Sequence, residues 1–223
     1  MNVVSRMNSP VKATEQILAV VLDYGNVLSL LPSEADIQEL QRLTGIARET
    51  LEELFWRYRD DYDRGGLDGR SYWRKVGAAA GKQFVDGDVD NIVVHDAAMW
   101  SHINPAMMNW VRALKREGLK TALLSNMPME VSAYLRRTAD WLGNFDCVVF
   151  SGEHKTTKPD PAIYRVCLDG LGVRPHNVLF IDDCSRNVQG AQAVGMRAVQ
   201  FHSVTQLASA VRPFGLSNGL VAS

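Results

Sequence analysis

The chain has 223 residues, of which 46% are hydrophobic and 22% are charged, and its formal net charge is −1. This composition is that of a globular protein, long enough for one full domain and a smaller inserted one. The nearly balanced charge excludes the basic surface typical of proteins that bind nucleic acid or acidic membranes, so neither is an expected partner.

The apolar stretch nearest the amino terminus covers residues 17–31 and is interrupted by Asp23, Gly25 and Asn26. It is too short to span a bilayer. The first dozen residues also lack an apolar region followed by a small-residue cleavage site. We therefore expect no membrane association and a cytoplasmic location.

The first predicted element is a strand over residues 17–22, whose side chains are continuously apolar. Runs rich in Val, Ile, Leu and Phe are typical of strands that are buried on both faces, as in parallel sheets. Similar runs recur at residues 120–124, 147–150, 178–181 and 198–201.

The segment between the first two predicted strands contains only helical patterns. Leu51, Leu54, Phe55, Tyr58 and Tyr62 form an apolar stripe at helical spacing. We therefore expect a helical domain over residues 30–104 that covers the site as a lid. We assign five of its aromatic residues to its own core, with a substrate-stacking surface as the alternative: Trp56, Tyr58, Tyr62, Tyr72 and Trp73.

Amphipathic helical patterns separate most of the remaining strands, for example at residues 107–114, 163–171 and 185–195. Alternation of strand and helix predicts a parallel sheet with right-handed crossovers. The expected fold class is therefore α/β. It has a Rossmann-like three-layer α/β/α core over residues 15–29 and 105–223, a five-stranded parallel sheet with the first strand central, and the inserted helical cap domain.

Carboxylates follow two of the predicted strands. Asp23 ends the first apolar run, and Asp182 and Asp183 come directly after residues 178–181. In an open parallel sheet these strand ends face one crevice, where buried carboxylates are costly unless a cation neutralises them. Mg2+ prefers such oxygen ligands. The pattern predicts metal-assisted chemistry on an anionic substrate; the alternative, helix N-capping, accounts for Asp183 alone.

Four segments at strand ends or in loops follow one another in the chain: residues 23–27, 124–126, 158–161 and 181–183, the last followed by Asn187. They resemble the four motifs of the haloacid dehalogenase superfamily: a nucleophilic Asp, a Ser or Thr, a Lys and an acidic pair. The resemblance covers nearly the whole chain and is most specific over residues 158–164 and 180–191. The helical insertion is similar to the cap of the first subclass.

The resemblance implies a Mg2+-dependent phosphatase that acts on a small phosphorylated metabolite through an aspartyl-phosphate. Asp23 is the implied nucleophile, which splits one hard displacement into two easier ones. Ser125 and the backbone of Asn126 are expected to donate hydrogen bonds to the phosphoryl oxygens. Lys158 is expected to hold both Asp23 and those oxygens.

The implied Mg2+ ligands are Asp23, the backbone carbonyl of Gly25 and Asp183. Asp182 is expected to orient a metal-bound water, although the two neighbouring acids could exchange these duties. The resemblance leaves the assembly open between a monomer and a homodimer.

Gly25 departs from the common pattern, which has a second Asp at that position as the general acid. The string Asp-Tyr-Gly-Asn-Val is similar to a branch of sugar-phosphate phosphatases of the alpha-glucose-1-phosphatase type that carries Gly there. The Lys-Pro and Asp-Asp segments are similar to the amino-terminal phosphatase domain of soluble epoxide hydrolases. A sugar phosphate is therefore the expected substrate, with His95 or His102 of the cap as alternative sources of the acid.

Three alternatives use the same scaffold. A metal-independent 2-haloacid dehalogenase shares the Asp nucleophile, but it needs no acidic pair. A phosphomutase needs the acid that Gly25 cannot supply. A weakly active phospholigand-binding regulatory protein could retain the Mg2+ site without rapid turnover.

Overall fold

The structure, a computed structural model, describes residues 16–220, so residue 15 and residues 221–223 of the expected core lie outside it. Its sheet is parallel, with the order β3-β2-β1-β4-β5. The strands are β1 (Ala19–Leu22), β2 (Lys120–Ser125), β3 (Cys147–Phe150), β4 (Val178–Asp182) and β5 (Arg197–Gln200). The predicted five-stranded parallel sheet with the first strand central is confirmed.

Five α-helices lie within residues 34–98, before the last helix that leads into β2. They are α1 (Glu34–Thr44), α2 (Arg48–Arg57), α3 (Arg59–Asp63), α4 (Gly69–Ala79) and α5 (Asp86–Ala98). We call residues 34–98 the helical insert. Ser33 caps α1, and Asp68 caps α4 by accepting a 2.6 Å hydrogen bond from the Ser71 backbone nitrogen. The insert packs around its own apolar cluster, which includes Leu54, Tyr72 and Trp73.

Helices cover both faces of the sheet. They are α6 (Pro105–Arg116), α7 (Met129–Thr138), α8 (Ser151–His154), α9 (Pro161–Leu171), α10 (Ser185–Ala193) and α11 (Val204–Ala210). Val20 and Leu22 of β1 pack into one apolar cluster, whereas Ala19 and Val21 pack into another on the opposite face. This alternation gives the expected three-layer α/β/α core. Among residues 16–220, no helix combines the length and apolar character that crossing a bilayer requires.

The helical insert also touches the core away from its chain connections. The Ser151 hydroxyl donates a 2.5 Å hydrogen bond to the backbone carbonyl of Asp63, and the Gly69 backbone nitrogen donates a 2.7 Å bond to Oε1 of Glu130. We call these two hydrogen bonds the insert tethers. They hold the end of α3 and the start of α4 against the core.

Candidate active site

The register of the sheet brings the acidic residues together. Leu22 is paired with Ile181, and the backbone nitrogen of Asp23 donates a 2.8 Å hydrogen bond to the Ile181 carbonyl. Asp23 and Asp182 are buried and Asp183 is half-buried, and one carboxylate oxygen from each lies within 4.8 Å of the other two. The structure thus places all three predicted carboxylates at one edge of the sheet.

Lys158 is the cation at the centre of this group. Its buried Nζ lies 2.7 Å from Oδ1 of Asp23, 2.6 Å from Oδ2 of Asp182 and 2.9 Å from the Leu124 carbonyl. Burial disfavours its charge, but attraction to Asp182 and Asp23 outweighs burial and raises the pKa of Lys158. The sequence predicted the contact with Asp23 but not the one with Asp182.

The two neighbouring acids differ in how many partners they have. Asp182 accepts hydrogen bonds from Lys158, from the Cys184 backbone nitrogen at 2.8 Å and from Nδ2 of Asn187 at 3.1 Å. The carboxylate of Asp183 accepts one from Nδ2 of Asn26 at 2.8 Å. Asp182 is therefore already engaged, whereas Asp183 keeps oxygen lone pairs for another partner.

The electrostatic environment of Asp23 is unfavourable to its charge. Burial raises the pKa of Asp23 to about 7; Lys158 opposes this shift, and Asp182 and Asp183 add to it. When all three carboxylates are ionised, they and the one ammonium carry two negative charges in excess. A divalent cation would balance this excess, and the donors are the hard oxygens that Mg2+ prefers, so the residues present fit that ion.

Ser125 and Asn126 follow β2 at the same edge. The Ser125 hydroxyl is buried and has only a long, 3.5 Å contact with the Asn126 carbonyl. The Asn126 side chain accepts a 2.8 Å hydrogen bond from the Lys158 backbone nitrogen and donates a 3.0 Å bond to its carbonyl. Asn126 thus fixes the loop that carries Lys158, a role of its side chain that the sequence did not indicate.

These residues line a cavity of about 340 Å³ between the core and the helical insert. The insert contributes Trp56, Arg59, Asp60 and Asp63, and Trp100 lies just beyond α5. Sequence analysis identified none of them as site residues. The signal for Arg59, Asp60 and Asp63 was the position of the insert after Asp23, and Trp56 also belonged to the aromatic cluster for which a substrate-stacking surface was the alternative.

The aromatic residues of the insert divide into two groups. Tyr62, Tyr72 and Trp73 are fully buried in the apolar cluster of the insert, as predicted. The assignment of Trp56 to that core was wrong, because its side chain is 61% exposed and lines the cavity. Helical spacing had left Trp56 out of the apolar stripe that contains Phe55 and Tyr58, and this spacing was the better guide to its exposure.

The two histidines considered as general acids lie outside the cavity lining. Nε2 of His95 is 2.8 Å from the Asp36 carbonyl, and Nε2 of His102 is 2.9 Å from Oδ2 of Asp36. Both therefore contact the start of α1. The carboxyl groups that the insert brings to the cavity are those of Asp60 and Asp63.

Replacing Lys158 tests how strongly the buried carboxylates destabilise the fold when their cation is removed. Lys158→Met leaves two buried carboxylates without their cation, so we expect a loss of about 3–5 kcal/mol in the free energy of unfolding. Urea denaturation in the absence of divalent ions measures this loss. Lys155→Met, which removes an exposed lysine three residues earlier, is the control and should change stability by less than about 0.5 kcal/mol. Equal effects of the two variants would contradict the central role of Lys158.

Comparison with known proteins identifies the family. Residues 17–195 match the model of the haloacid dehalogenase-like hydrolases, and the chain belongs to that family of enzymes. The resemblance inferred from the motifs is thereby confirmed.

Phosphatases are among its relatives. The chain is 28% identical to phosphatase MT3486 of Mycobacterium tuberculosis, over 82% of this chain and 86% of that protein. It is 27% identical to bifunctional epoxide hydrolase 2 of Mus musculus, over 63% and 26% of the two chains. It is 30% identical to a phosphorylated carbohydrates phosphatase of Thermotoga maritima, over 43% and 44%. The matches therefore span about a quarter of the mouse relative and less than half of the Thermotoga one.

Solved structures share the fold. A family enzyme of Bacteroides thetaiotaomicron, in complex with magnesium and inorganic phosphate, superimposes with a TM-score of 0.67 at 22% identity, over 83% of this chain and 94% of that one. L-2-haloacid dehalogenase of Xanthobacter autotrophicus superimposes with a TM-score of 0.69 at 20% identity, over 92% and 86%. Both similarities are of the fold, and one of the two structures is that of a dehalogenase.

Proposed function

We propose that this hydrolase is a Mg2+-dependent phosphatase that acts on a small phosphate monoester, namely a sugar phosphate. The observation that carries the proposal is the excess of two negative charges when Asp23, Asp182 and Asp183, which lie together, are all ionised beside the single cation Lys158, which contacts the first two. Hydrolysis by a metal-free dehalogenase does not require this excess. The phosphatase relatives support the reaction, and the Thermotoga relative supports the substrate class.

Asp23, Asp183 and the backbone carbonyl of Gly25 would hold the ion. Asp182 would position these groups, because its oxygens already accept hydrogen bonds from Lys158, Cys184 and Asn187. When bound, Mg2+ would offset the repulsion between the carboxylates and an anionic phosphoryl group.

Asp23 would form the covalent intermediate. Its Oδ1 accepts hydrogen bonds from Lys158 and, at 2.7 Å, from the Tyr24 backbone nitrogen, which leaves Oδ2 for the attack. This oxygen would bond to phosphorus while the ester P–O bond breaks and the leaving oxygen takes a proton from water. A second water would then attack phosphorus, break its bond to Asp23, and release phosphate and a proton. Ser125, the Asn126 backbone and Lys158 would donate to the phosphoryl oxygens.

We further propose that the helical insert acts as a cap domain with boundaries at residues 30 and 104, over a core of residues 15–29 and 105–223. The cavity of about 340 Å³ beneath it matches a small metabolite. A cap of this kind excludes water from the reacting groups.

Turnover of p-nitrophenyl phosphate with Mg2+, and with a chelator instead, tests the reaction. We expect hydrolysis that requires the ion. Hydrolysis of 2-chloropropionate in the presence of the chelator would instead support the dehalogenase. Binding of inorganic phosphate without turnover of any ester would support the regulatory alternative.

Binding of Mg2+ has a readout that does not depend on activity. At ten times its dissociation constant, a ligand specific for the folded state stabilises it by about 1.4 kcal/mol. For a chain of this size we expect a rise of about 3–6 °C in the melting temperature. Asp183→Asn should remove most of the rise, whereas Asp169→Asn, on the exposed face of α9, should keep it. A rise retained in full by Asp183→Asn would exclude this residue as a ligand.

A further inference from the structure

The cavity has two walls. The core wall carries Asp23, Asp183, Lys158 and Arg186, with the Ser125 hydroxyl nearby, and would hold the phosphoryl group once Mg2+ offsets its carboxylates. The cap wall, which we define as Trp56, Arg59, Asp60 and Asp63, faces it from the helical insert. A phosphate ester bound with its phosphoryl group on the core wall therefore presents its leaving group to the cap wall.

The cap wall is negative despite its arginine. Nε of the buried Arg59 lies 2.8 Å from Oδ1 of Asp63, and its Nη1 lies 3.2 Å from Oδ1 of the buried Asp96. Both carboxylates are held by this one guanidinium, and the exposed Asp60 adds a third negative charge. Asp96 lies outside the cavity lining, so the cap wall itself has one positive charge against the two negative charges of Asp60 and Asp63, and its net charge is negative.

Trp56 gives the same wall an apolar surface. Its ring contacts the Phe55 ring edge-on at 5.1 Å between centroids, and most of the side chain is exposed. An indole open to a cavity can pack against the C–H face of a sugar ring, while nearby carboxylates accept hydrogen bonds from hydroxyl groups.

We propose that the cap wall selects the leaving group by its charge, so that a neutral or cationic sugar is accepted against Trp56 and Asp60 and an acidic sugar is rejected. This inference rests on the proposed phosphatase function and narrows its substrate class. A carboxylate on the leaving group would face the excess charge of the wall in a partly enclosed cavity, where like charges repel strongly.

Three hexose 1-phosphates that differ in charge test the proposal: glucosamine 1-phosphate, glucose 1-phosphate and glucuronic acid 1-phosphate. At pH 7 with Mg2+, we expect kcat/KM for the glucosamine ester to equal or exceed that for the glucose ester. We expect the glucuronic acid ester to be roughly tenfold or more below the glucose ester. A glucuronic acid ester that matches or exceeds glucose 1-phosphate would overturn the proposal.

Two neighbouring aspartates provide a matched pair of variants. Asp60→Asn should reduce the ratio of kcat/KM for the glucose ester to kcat/KM for the glucuronic acid ester by about threefold to fivefold, because it removes one negative charge from the cap wall. Asp61→Asn removes the same charge from an exposed residue outside the cavity lining and should leave the ratio unchanged. Equal effects of the two variants would mean that the net charge of the protein, and not the cap wall, determines the order of kcat/KM among the three esters.

Trp56→Ala should lower kcat/KM for all three sugars by roughly fivefold, mainly through KM, and Trp56→Phe should restore most of it. Unchanged KM values in Trp56→Ala would remove the ring-packing part of the proposal.

Dissociation constants separate this inference from the proposed function. Calorimetric titration of the three sugar phosphates into Asp23→Asn with Mg2+ should give the same order of affinities. If no ester is hydrolysed but this order holds, the phosphatase function fails and the charge selection stands. If an aryl phosphate is hydrolysed but the sugars show no order by charge, the selection fails alone.

Discussion

Asp23→Asn is expected to reduce the hydrolysis of phosphate esters by a factor on the order of 10⁴ or more. Asparagine preserves the size of the side chain and can still accept the hydrogen bond from the Tyr24 backbone nitrogen. It lacks the carboxylate that would attack phosphorus. The fold should therefore persist while the covalent intermediate is lost.

Steady-state kinetics with p-nitrophenyl phosphate measures this loss, and circular dichroism with thermal unfolding checks the fold. Asp169→Asn makes the same chemical change on the exposed face of α9 and should retain full activity. Substantial turnover by Asp23→Asn in folded protein would exclude covalent catalysis by this residue.

Gly25→Asp is expected to raise kcat/KM for esters with poor leaving groups, such as glycerol phosphate, by roughly a hundredfold. The backbone of Gly25 has φ −61° and ψ 130°, which any L-residue can adopt. A Cβ added there meets no atom within 4 Å. An aspartic acid at this position can therefore enter without strain and supply the proton that an alkoxide leaving group needs.

The dependence of kcat/KM on the pKa of the leaving group measures this effect. The slope should be steep in the parent chain and flatter in Gly25→Asp, whereas Gly25→Asn, which adds no acid, should remain steep. His95→Ala and His102→Ala should also leave the slope unchanged, because both rings contact Asp36 rather than the cavity. A flat slope in the parent that becomes steep in either histidine variant would place the acid on the cap.

The order of strands and helices could be predicted because each strand is a short apolar run that is followed by a polar residue. The run that ends at Leu22 leads into Asp23, and β4 ends at Asp182, so the strand ends indicated where the acids would meet. Parallel pairing then brings Asp23 and Asp182 together, because it aligns the carboxyl ends of neighbouring strands. This part of the site depends on backbone topology, which hydrophobic patterning largely determines.

The other wall of the cavity could not be predicted in the same way. Whether Trp56 or Tyr62 faces the cavity depends on how short helices pack on one another, and both residues occupy helical positions in sequence. The pairing of Arg59 with Asp96 joins residues far apart in the chain, so no local pattern could indicate it. Side chains that act through tertiary contacts leave little trace in a single sequence.

The insert tethers bear on how quickly a ligand can leave. The insert joins the core at its two chain ends. The hydrogen bonds from Ser151 to Asp63 and from Gly69 to Glu130 also hold it to the core at the end of α3 and the start of α4. A swing of the insert about its chain ends must break both, at a net cost of about 1 kcal/mol each. The two bonds alone would limit an open form to about 3% of the population, and the packing of α5 against α7 would lower it further. The carbonyl of Asp63 belongs to a tether and its side chain lines the cavity, so an opening of the insert would also move this side chain away from a bound ligand.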